Sequence, residues 1–159
     1  MSKRFYNAAI CENGHVLDNM MQDNEHYLYK HCSRCGELVY NVCTECQNPI
    51  PGAETNVSWC GTNVKPPYYC PFCGKPYPWT LKILESNQQR LKELDGLDEN
   101  LKQLLCESLK DIMIESPNTE LACDRFKRAF AVAKKSIREI LISILAEIAC
   151  AYVKNKLNI

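Results

Sequence analysis

Four closely spaced pairs of cysteine and histidine residues occupy the first half of the sequence and constrain its fold more than any other feature. The pairs are Cys11/His15, Cys32/Cys35, Cys43/Cys46 and Cys70/Cys73. The C-x-x-C spacing of three pairs lets one tight turn present two sulfur atoms to the same ion, and the remaining pair combines a thiol with an imidazole. Eight such ligands make two tetrahedral sites. Thiolate and imidazole ligands favour Zn²⁺ over Mg²⁺ or Ca²⁺.

The composition changes near residue 80. Residues 1–80 contain eight of the eleven cysteines and seven of the eight prolines but only ten Val, Ile or Leu residues, whereas residues 81–159 contain twenty-four of these aliphatics. The first part buries too little apolar surface to offset the conformational entropy that it loses on folding. It therefore needs bound metal to stabilise its folded state. We therefore predict an α+β protein, with tandem zinc ribbons of small β-hairpins and knuckles in residues 1–79 and an α-helical bundle of about four helices in residues 80–159.

We assign the ligand pairs to the two sites in sequential order, and two other groupings stay open. Sequential grouping joins the first pair to the second and the third to the fourth, and the seven residues between Cys35 and Cys43 suit the end of one ribbon and the start of the next. A cross-brace joins the first pair to the third and the second to the fourth. A third arrangement joins the two central pairs to each other and the first pair to the last.

Four protein ligands fill each of the two sites, whereas a catalytic zinc ion keeps one coordination position open for water or substrate. We therefore expect two structural zinc ions, no catalytic residues and no enzymatic activity, with a ligase-like cross-brace as the enzymatic alternative. Metal binding of this kind contributes on the order of 10–16 kcal/mol to the folding of a small module. Of the remaining polar residues, we expect His31 to be a surface imidazole and Cys60 to be a free thiol.

Four aromatic residues flank the last ligand pair, namely Tyr68, Tyr69, Tyr77 and Trp79. Aromatic side chains on a ribbon stack nucleic-acid bases, grip a peptide or pack against a neighbouring domain. Because Trp79 lies at the junction of the two halves, we expect it to dock against the helical half.

Apolar residues recur at helical spacing from residue 81 onward. The pattern predicts a first helix over about 80–94 and a second helix capped by Asp98. Ser116 is predicted as the N-cap of a third helix, and Ser136 begins a capping box for a fourth. Cys106, Cys123 and Cys150 fall in these helical stretches and are expected to be small buried hydrophobic residues.

The stretch 140–153, ILISILAEIACAYV, is apolar around most of a helix. A central helix surrounded by the others explains this pattern, as does self-association of the chain through a second apolar face. Contact with a membrane is the remaining interpretation, although fourteen residues are too few to span a bilayer. No other stretch contains the roughly 18–20 consecutive apolar residues that a membrane-spanning helix needs. We therefore predict no transmembrane segment.

The net charge does not favour nucleic acid or an anionic membrane surface as a partner, because nineteen Lys and Arg residues balance nineteen Asp and Glu residues. With two Zn²⁺ ions in thiolate sites, the first half becomes net negative, which weakens an interpretation as a nucleic-acid-binding protein. The one local excess of positive charge lies within 125–138: Arg125, Lys127, Arg128, Lys134, Lys135 and Arg138. A solvated helix face is the usual explanation of such a run, and binding of an acidic partner or of nucleic acid is the alternative.

The motifs C-x-N-G-H at Cys11–His15, C-x-x-C-G at Cys32–Gly36, and Y-C-x-x-C-G-K-P-x-P-W-T at Tyr69–Thr80, together with the segments 43–52 and 116–127, resemble an uncharacterised bacterial family of zinc-ribbon proteins with a helical C-terminal region. The resemblance covers most of the chain. It implies two zinc sites and a bacterial, cytoplasmic protein, but no activity.

From these observations we expect a zinc-stabilised adaptor or scaffold in which the ribbons recognise a protein partner and the helices dock or self-associate. By analogy with helical segments of bacterial conflict and anti-phage proteins, we expect a role in such a system. The alternative is a nucleic-acid-binding regulator that uses the ribbon aromatics and the basic 125–138 face. The N-terminus has no apolar run of signal-peptide length, which favours the cytoplasm.

Overall fold

A small antiparallel sheet is built around strand β1 (Phe5–Cys11) in a computed structural model that describes residues 5–22, 29–55 and 65–159. Strand β2 (Val16–Met21) follows β1 through a tight turn and pairs with it. Strands β3 (Val39–Tyr40) and β4 (Pro51–Glu54) pair with different stretches of β1, β3 at its C-terminal end and β4 at its N-terminal end. The C-terminal end of β1, where the first metal-ligand candidate lies, is therefore held by two strands.

The chain divides into two compact units, Met1–Lys82 and Ile83–Ile159, and the division falls inside helix α1 (Pro78–Lys92). The core of the first unit is small, as its composition predicts. It consists of Ala8, Ile10, Cys43, Ile50, Cys70, Tyr77 and Trp79. Two of these seven residues are predicted metal ligands, so packing and metal binding depend on the same side chains.

Trp79 packs in the core of the first unit. From the sequence we expected it to dock against the helical half instead. Its indole stacks on Tyr77 with ring centroids 4.6 Å apart, and its Nε1 donates to the Pro67 carbonyl at 2.7 Å. Both rings are buried. Neither is therefore available for stacking on bases, which removes two of the aromatics on which the nucleic-acid alternative depended.

The second unit contains the rest of α1 and four further helices. They are α2 (Glu99–Met113), α3 (Thr119–Val132), α4 (Lys135–Ile148) and α5 (Ala151–Leu157). The α+β class is confirmed, and the described residues contain five helices where about four were predicted. The additional break has a tertiary cause: the Cys150 amide leaves the helical pattern and donates to the Ile112 carbonyl of α2 at 2.9 Å.

The helix starts agree only in part with the sequence predictions. Asp98 is the N-cap of α2, and its carboxylate accepts hydrogen bonds from the amides of Asn100 and Leu101. Helix α3 begins later than predicted, with Asn118 rather than Ser116 as N-cap. Helix α4 begins before Ser136, and its N-cap makes no side-chain hydrogen bond. The capping box predicted there is absent from the described structure.

The apolar stretch 140–153 is divided between α4 and α5 rather than forming one helix. In α4 one face is buried, with Ile137, Leu141, Ile144, Leu145 and Ile148, while Ile140 and Ile142 are exposed. None of the helices described here combines the length and the apolar character that crossing a bilayer requires.

Candidate metal centres

Three chain segments fold into nearly identical turns, each around one C-x-x-C pair, and we call them knuckles one (32–35), two (43–46) and three (70–73). In each knuckle the amide of the first cysteine donates to the carbonyl five residues later, at 2.8 to 2.9 Å. The amide four residues after that cysteine donates back to its carbonyl, at 2.8 to 3.0 Å. One short β-bridge closes each turn: His31 with Leu38, Val42 with Pro49, and Tyr69 with Pro76. The backbone thereby aims both sulfur atoms of a pair at the same point.

The residue after the second cysteine has a left-handed backbone in all three knuckles. Gly36 has φ 78° and Gly74 has φ 72°, where the absence of a Cβ makes this conformation inexpensive. In knuckle two the same position is Gln47, with φ 59°. A residue with a Cβ adopts this conformation at a cost of about 1–2 kcal/mol, so knuckle two retains its geometry against a local preference.

The first centre combines knuckle one with the turn between β1 and β2. The candidate ligand atoms of Cys11, His15, Cys32 and Cys35 all lie within 4.8 Å of one another. The Cys11 and Cys35 sulfurs are 3.7 Å apart, and the Cys32 sulfur lies 3.6 Å from His15 Nδ1. Cys11 and Cys32 are buried, whereas Cys35 is exposed. This centre therefore lies at the edge of the unit.

The second centre combines knuckles two and three. The sulfurs of Cys43, Cys46, Cys70 and Cys73 likewise lie within 4.8 Å of one another. Sulfur–sulfur distances of 3.8 Å (Cys43 to Cys73) and 3.7 Å (Cys46 to Cys70) cross from one knuckle to the other. Asn48 Nδ2 donates to the Cys46 sulfur at 3.3 Å. The four thiols thus form a closed cluster with a side-chain amide at its rim.

Both clusters follow sequential grouping of the ligand pairs. The cross-brace, on which the ligase-like alternative depended, is not the arrangement in the structure. None of the cysteines within the described ranges forms a disulfide, although several sulfurs lie close together. The seven sulfur atoms and the His15 imidazole are therefore arranged as two sets of four ligands rather than as cross-linked pairs.

The thiols of the first centre differ widely in pKa. Burial raises the pKa of Cys11 to about 11. Burial also opposes ionisation of Cys32, but the Arg34 amide and the His15 side chain outweigh it and lower the pKa of Cys32 to about 6. One thiol therefore ionises readily while its neighbour keeps its proton.

The second centre shows the same division. Burial opposes ionisation of Cys70, yet the Cys73 and Phe72 amides lower its pKa to about 6. The Lys75 amide favours the Cys73 thiolate, but burial and the neighbouring sulfurs prevail and raise the pKa of Cys73 to about 12.

Thiolates packed this closely repel each other, and a divalent cation supplies the positive charge that lets all of them ionise. The donor sets fit a metal ion of the zinc type: three thiolates with one imidazole, and four thiolates.

The other candidate residues lie outside both clusters. Cys60 falls outside the described residues. His31 is exposed and Cys106 and Cys123 are buried, all as expected, whereas Cys150 is only half-buried. Within the basic segment, Arg125 is half-buried and donates to Ser108 Oγ at 2.9 Å, while the remaining five cations are exposed.

Three residues near the second centre were not singled out as parts of the site from the sequence. Gln47 was missed because glutamine carries no signal for positive φ, and Asn48 because a single amide after a C-x-x-C pair is not a motif. Tyr77 was noted as an aromatic residue, but its burial beside the Cys43 and Cys70 side chains comes from the fold. The C-x-x-C spacing was the only available signal near these residues.

The fold and the two clusters define an α+β protein with cysteine knuckles of the zinc-ribbon type and a helical C-terminal unit. A family model described as an uncharacterized protein conserved in bacteria (DUF2321) matches residues 4–157, nearly the whole chain. The chain belongs to this family. No curated protein and no solved structure matches it.

Proposed function

We propose that this chain is a zinc-stabilised recognition protein, in which two structural metal ions hold the knuckles rigid and the knuckle tips bind a protein partner. The observation that carries the proposal is the equivalent position of three exposed side chains. The second residue between the two cysteines is Arg34 in knuckle one, Glu45 in knuckle two and Phe72 in knuckle three, and all three are exposed. One backbone geometry therefore presents a cation, an anion and an aromatic ring.

A structural role for the metal is supported by the ligand count. Each cluster supplies four protein ligand atoms, so a tetrahedral ion in it retains no position for water or substrate. Zinc suits these donors, and it contributes folding energy directly in modules with a small core. The same count supports the expectation that the protein is not an enzyme.

Phe72 is the strongest candidate contact. The residue is 61 % exposed although phenylalanine gains by burial, and it lies between Cys70 and Cys73. An aromatic side chain on a turn held by metal loses little further entropy on binding, which is how rigid anchors contribute to interfaces. We infer a protein partner with an apolar pocket that accepts this ring.

The test uses a photo-crosslinking phenylalanine analogue placed at position 72 in the full chain, expressed in its bacterial host. Glu45 is the matched control position, because it occupies the same place in knuckle two. We expect a discrete crosslinked product from position 72, absent from position 45 and lost in Cys70→Ser. Equal products at both positions, or none at position 72, would contradict recognition through this ring.

Cytoplasmic location and self-association through 140–153 stay predictions. The free thiols support a reducing compartment, and exposed Ile140 and Ile142 support a second apolar surface. Native mass spectrometry at several protein concentrations reports the number of chains per assembly. A role in conflict or anti-phage systems also stays an expectation.

Nucleic-acid binding is the second candidate, and the exposed basic residues of 125–138 favour it. Lys127, Arg128, Lys134, Lys135 and Arg138 are exposed, although Lys127 pairs with Asp124 at 3.6 Å. Binding through these cations requires a steep loss of affinity with added salt. Fluorescence anisotropy with single- and double-stranded oligonucleotides over a salt series tests it, and absence of binding at low salt would exclude it.

A further inference from the structure

The Tyr77 hydroxyl is a buried polar group without a hydrogen-bond partner. The residue is 1 % exposed, and within the described ranges no other buried side-chain oxygen or nitrogen lacks a partner. Burying a hydroxyl without a hydrogen-bond partner is unfavourable, because the group has lost its bonds to water. An orphan of this kind next to a ligand cluster indicates a missing acceptor.

The surroundings of Tyr77 identify that acceptor. Its amide donates to the Tyr68 carbonyl at 3.1 Å, and its ring stacks on Trp79, so the ring has little freedom to move. The core in which it packs includes Cys43 and Cys70, two ligands of the second centre. A phenol keeps its proton near neutral pH, so the Tyr77 hydroxyl is available as a donor.

A neutral thiol is a weak acceptor, whereas a metal-bound thiolate carries charge and accepts hydrogen bonds well. We propose that Tyr77 donates its hydroxyl hydrogen to the Cys70 sulfur when the second centre holds its metal ion. Tyr77 is then a positioning residue: it orients a ligand and satisfies its own hydroxyl at the same time. The described partners of the first-centre sulfurs are backbone amides and the other ligands, so Tyr77 makes the two centres unequal.

This inference rests on the metal binding proposed above but not on the recognition role. The variant that tests it is Tyr77→Phe, which removes only the oxygen. Tyr40→Phe is the matched control, because Tyr40 is half-buried and packs against the same core. The two alternatives predict opposite signs: if the hydroxyl stays unpaired, its removal is neutral or stabilising, whereas if it donates to Cys70, its removal weakens metal binding.

The probes are Zn²⁺ and Co²⁺. Loss of an outer-shell hydrogen bond typically weakens metal binding about 10–100-fold. We therefore expect one of the two zinc ions to transfer to a chromogenic chelator about 10-fold faster or more in Tyr77→Phe, with the other ion unchanged. In the Co²⁺-loaded protein, the sulfur-to-metal charge-transfer band of the four-thiolate centre should move to lower energy, because an unbonded thiolate gives up its electron more easily.

The outcomes separate the proposals. If the wild-type chain takes up no metal, both the metal binding proposed above and this inference are overturned. If the wild-type chain takes up two ions and Tyr77→Phe matches Tyr40→Phe in transfer rate and Co²⁺ spectrum, only the inference is overturned. Faster zinc transfer together with the band shift, in Tyr77→Phe alone, supports it.

Discussion

Cys11 and His15 are joined by a reciprocal pair of contacts: the Cys11 amide donates to the His15 carbonyl at 3.0 Å, and the His15 amide donates to the Cys11 sulfur at 3.3 Å. Gly14, with φ 83°, allows the chain to turn between them. The spacing of these two ligands is therefore set by the backbone of the hairpin. The three knuckles use the same strategy with different residues.

His15 is the ligand whose loss is easiest to confine to one centre. We expect His15→Ala to lower metal content from two ions to one, because the backbone contacts of the hairpin do not depend on the imidazole. His15→Cys should restore the second ion, since four thiolates also bind zinc tetrahedrally. Native mass spectrometry measures both, and loss of both ions in His15→Ala would contradict independent centres.

Removal of metal should unfold the first unit. Its core is small and includes ligand cysteines, so packing does not replace metal binding worth on the order of 10 kcal/mol. Circular dichroism and thermal denaturation before and after a strong chelator measure the effect. Cys150→Ser is the control, because Cys150 lies outside both clusters and should leave metal content unchanged. A chelated protein with an unchanged spectrum would refute the metal-dependent fold.

Metal uptake should release protons. The pKa of Cys11 is about 11 and that of Cys73 about 12, so near pH 7.5 each centre still holds at least one proton that must leave when all its sulfurs bind. Affinity should therefore rise with pH above neutrality. It should fall more steeply below about pH 6, where the thiolates of Cys32 and Cys70 also take up protons.

Isothermal titration calorimetry in two buffers with different ionisation enthalpies measures the number of protons released. The expected value is at least one proton per ion. A binding enthalpy that does not depend on the buffer would contradict this prediction.

Knuckle two should gain stability from Gln47→Gly. Relief of the left-handed backbone at Gln47 is worth about 1 kcal/mol. The reverse change, Gly74→Ala, should cost a similar amount in knuckle three, where an added Cβ meets no atom within 4 Å and only the backbone conformation matters. Chemical denaturation of the metal-loaded protein should show the two shifts with opposite signs.

Asp98→Ala should destabilise the second unit by about 1 kcal/mol, because it removes the acceptor for two helix amides at the start of α2. Asp95→Ala, three residues earlier and also exposed, is the matched control with no helix cap to lose. Thermal denaturation distinguishes them. Equal melting temperatures for the two variants would contradict the capping role.

Local signals in the sequence account for the parts of the structure that were predicted. The C-x-x-C spacing specifies a knuckle through hydrogen bonds within about six residues, and Asp98 caps α2 through its own next three residues. Such contacts depend little on the rest of the chain. The three knuckles and the α+β class are therefore readable in advance, whereas the grouping of the ligand pairs depends on contacts between distant segments.

The parts that were missed depend on distant partners. The break between α4 and α5 contains neither glycine nor proline, and its cause is the hydrogen bond from the Cys150 amide to Ile112, thirty-eight residues away. The burial of Tyr77 and Trp79 in the first unit likewise requires the strands that surround them. A propensity or a spacing carries no information about contacts of this kind.

The three knuckles separate what maintains their shape from what they display. Backbone hydrogen bonds and sulfur atoms form the turn, while the side chains of Arg34, Glu45 and Phe72 are exposed and take no part in these hydrogen bonds. These three side chains can therefore be exchanged without breaking the hydrogen bonds that close the turns. If they bind a partner as proposed above, the specificity of this scaffold can change one side chain at a time while its fold stays the same.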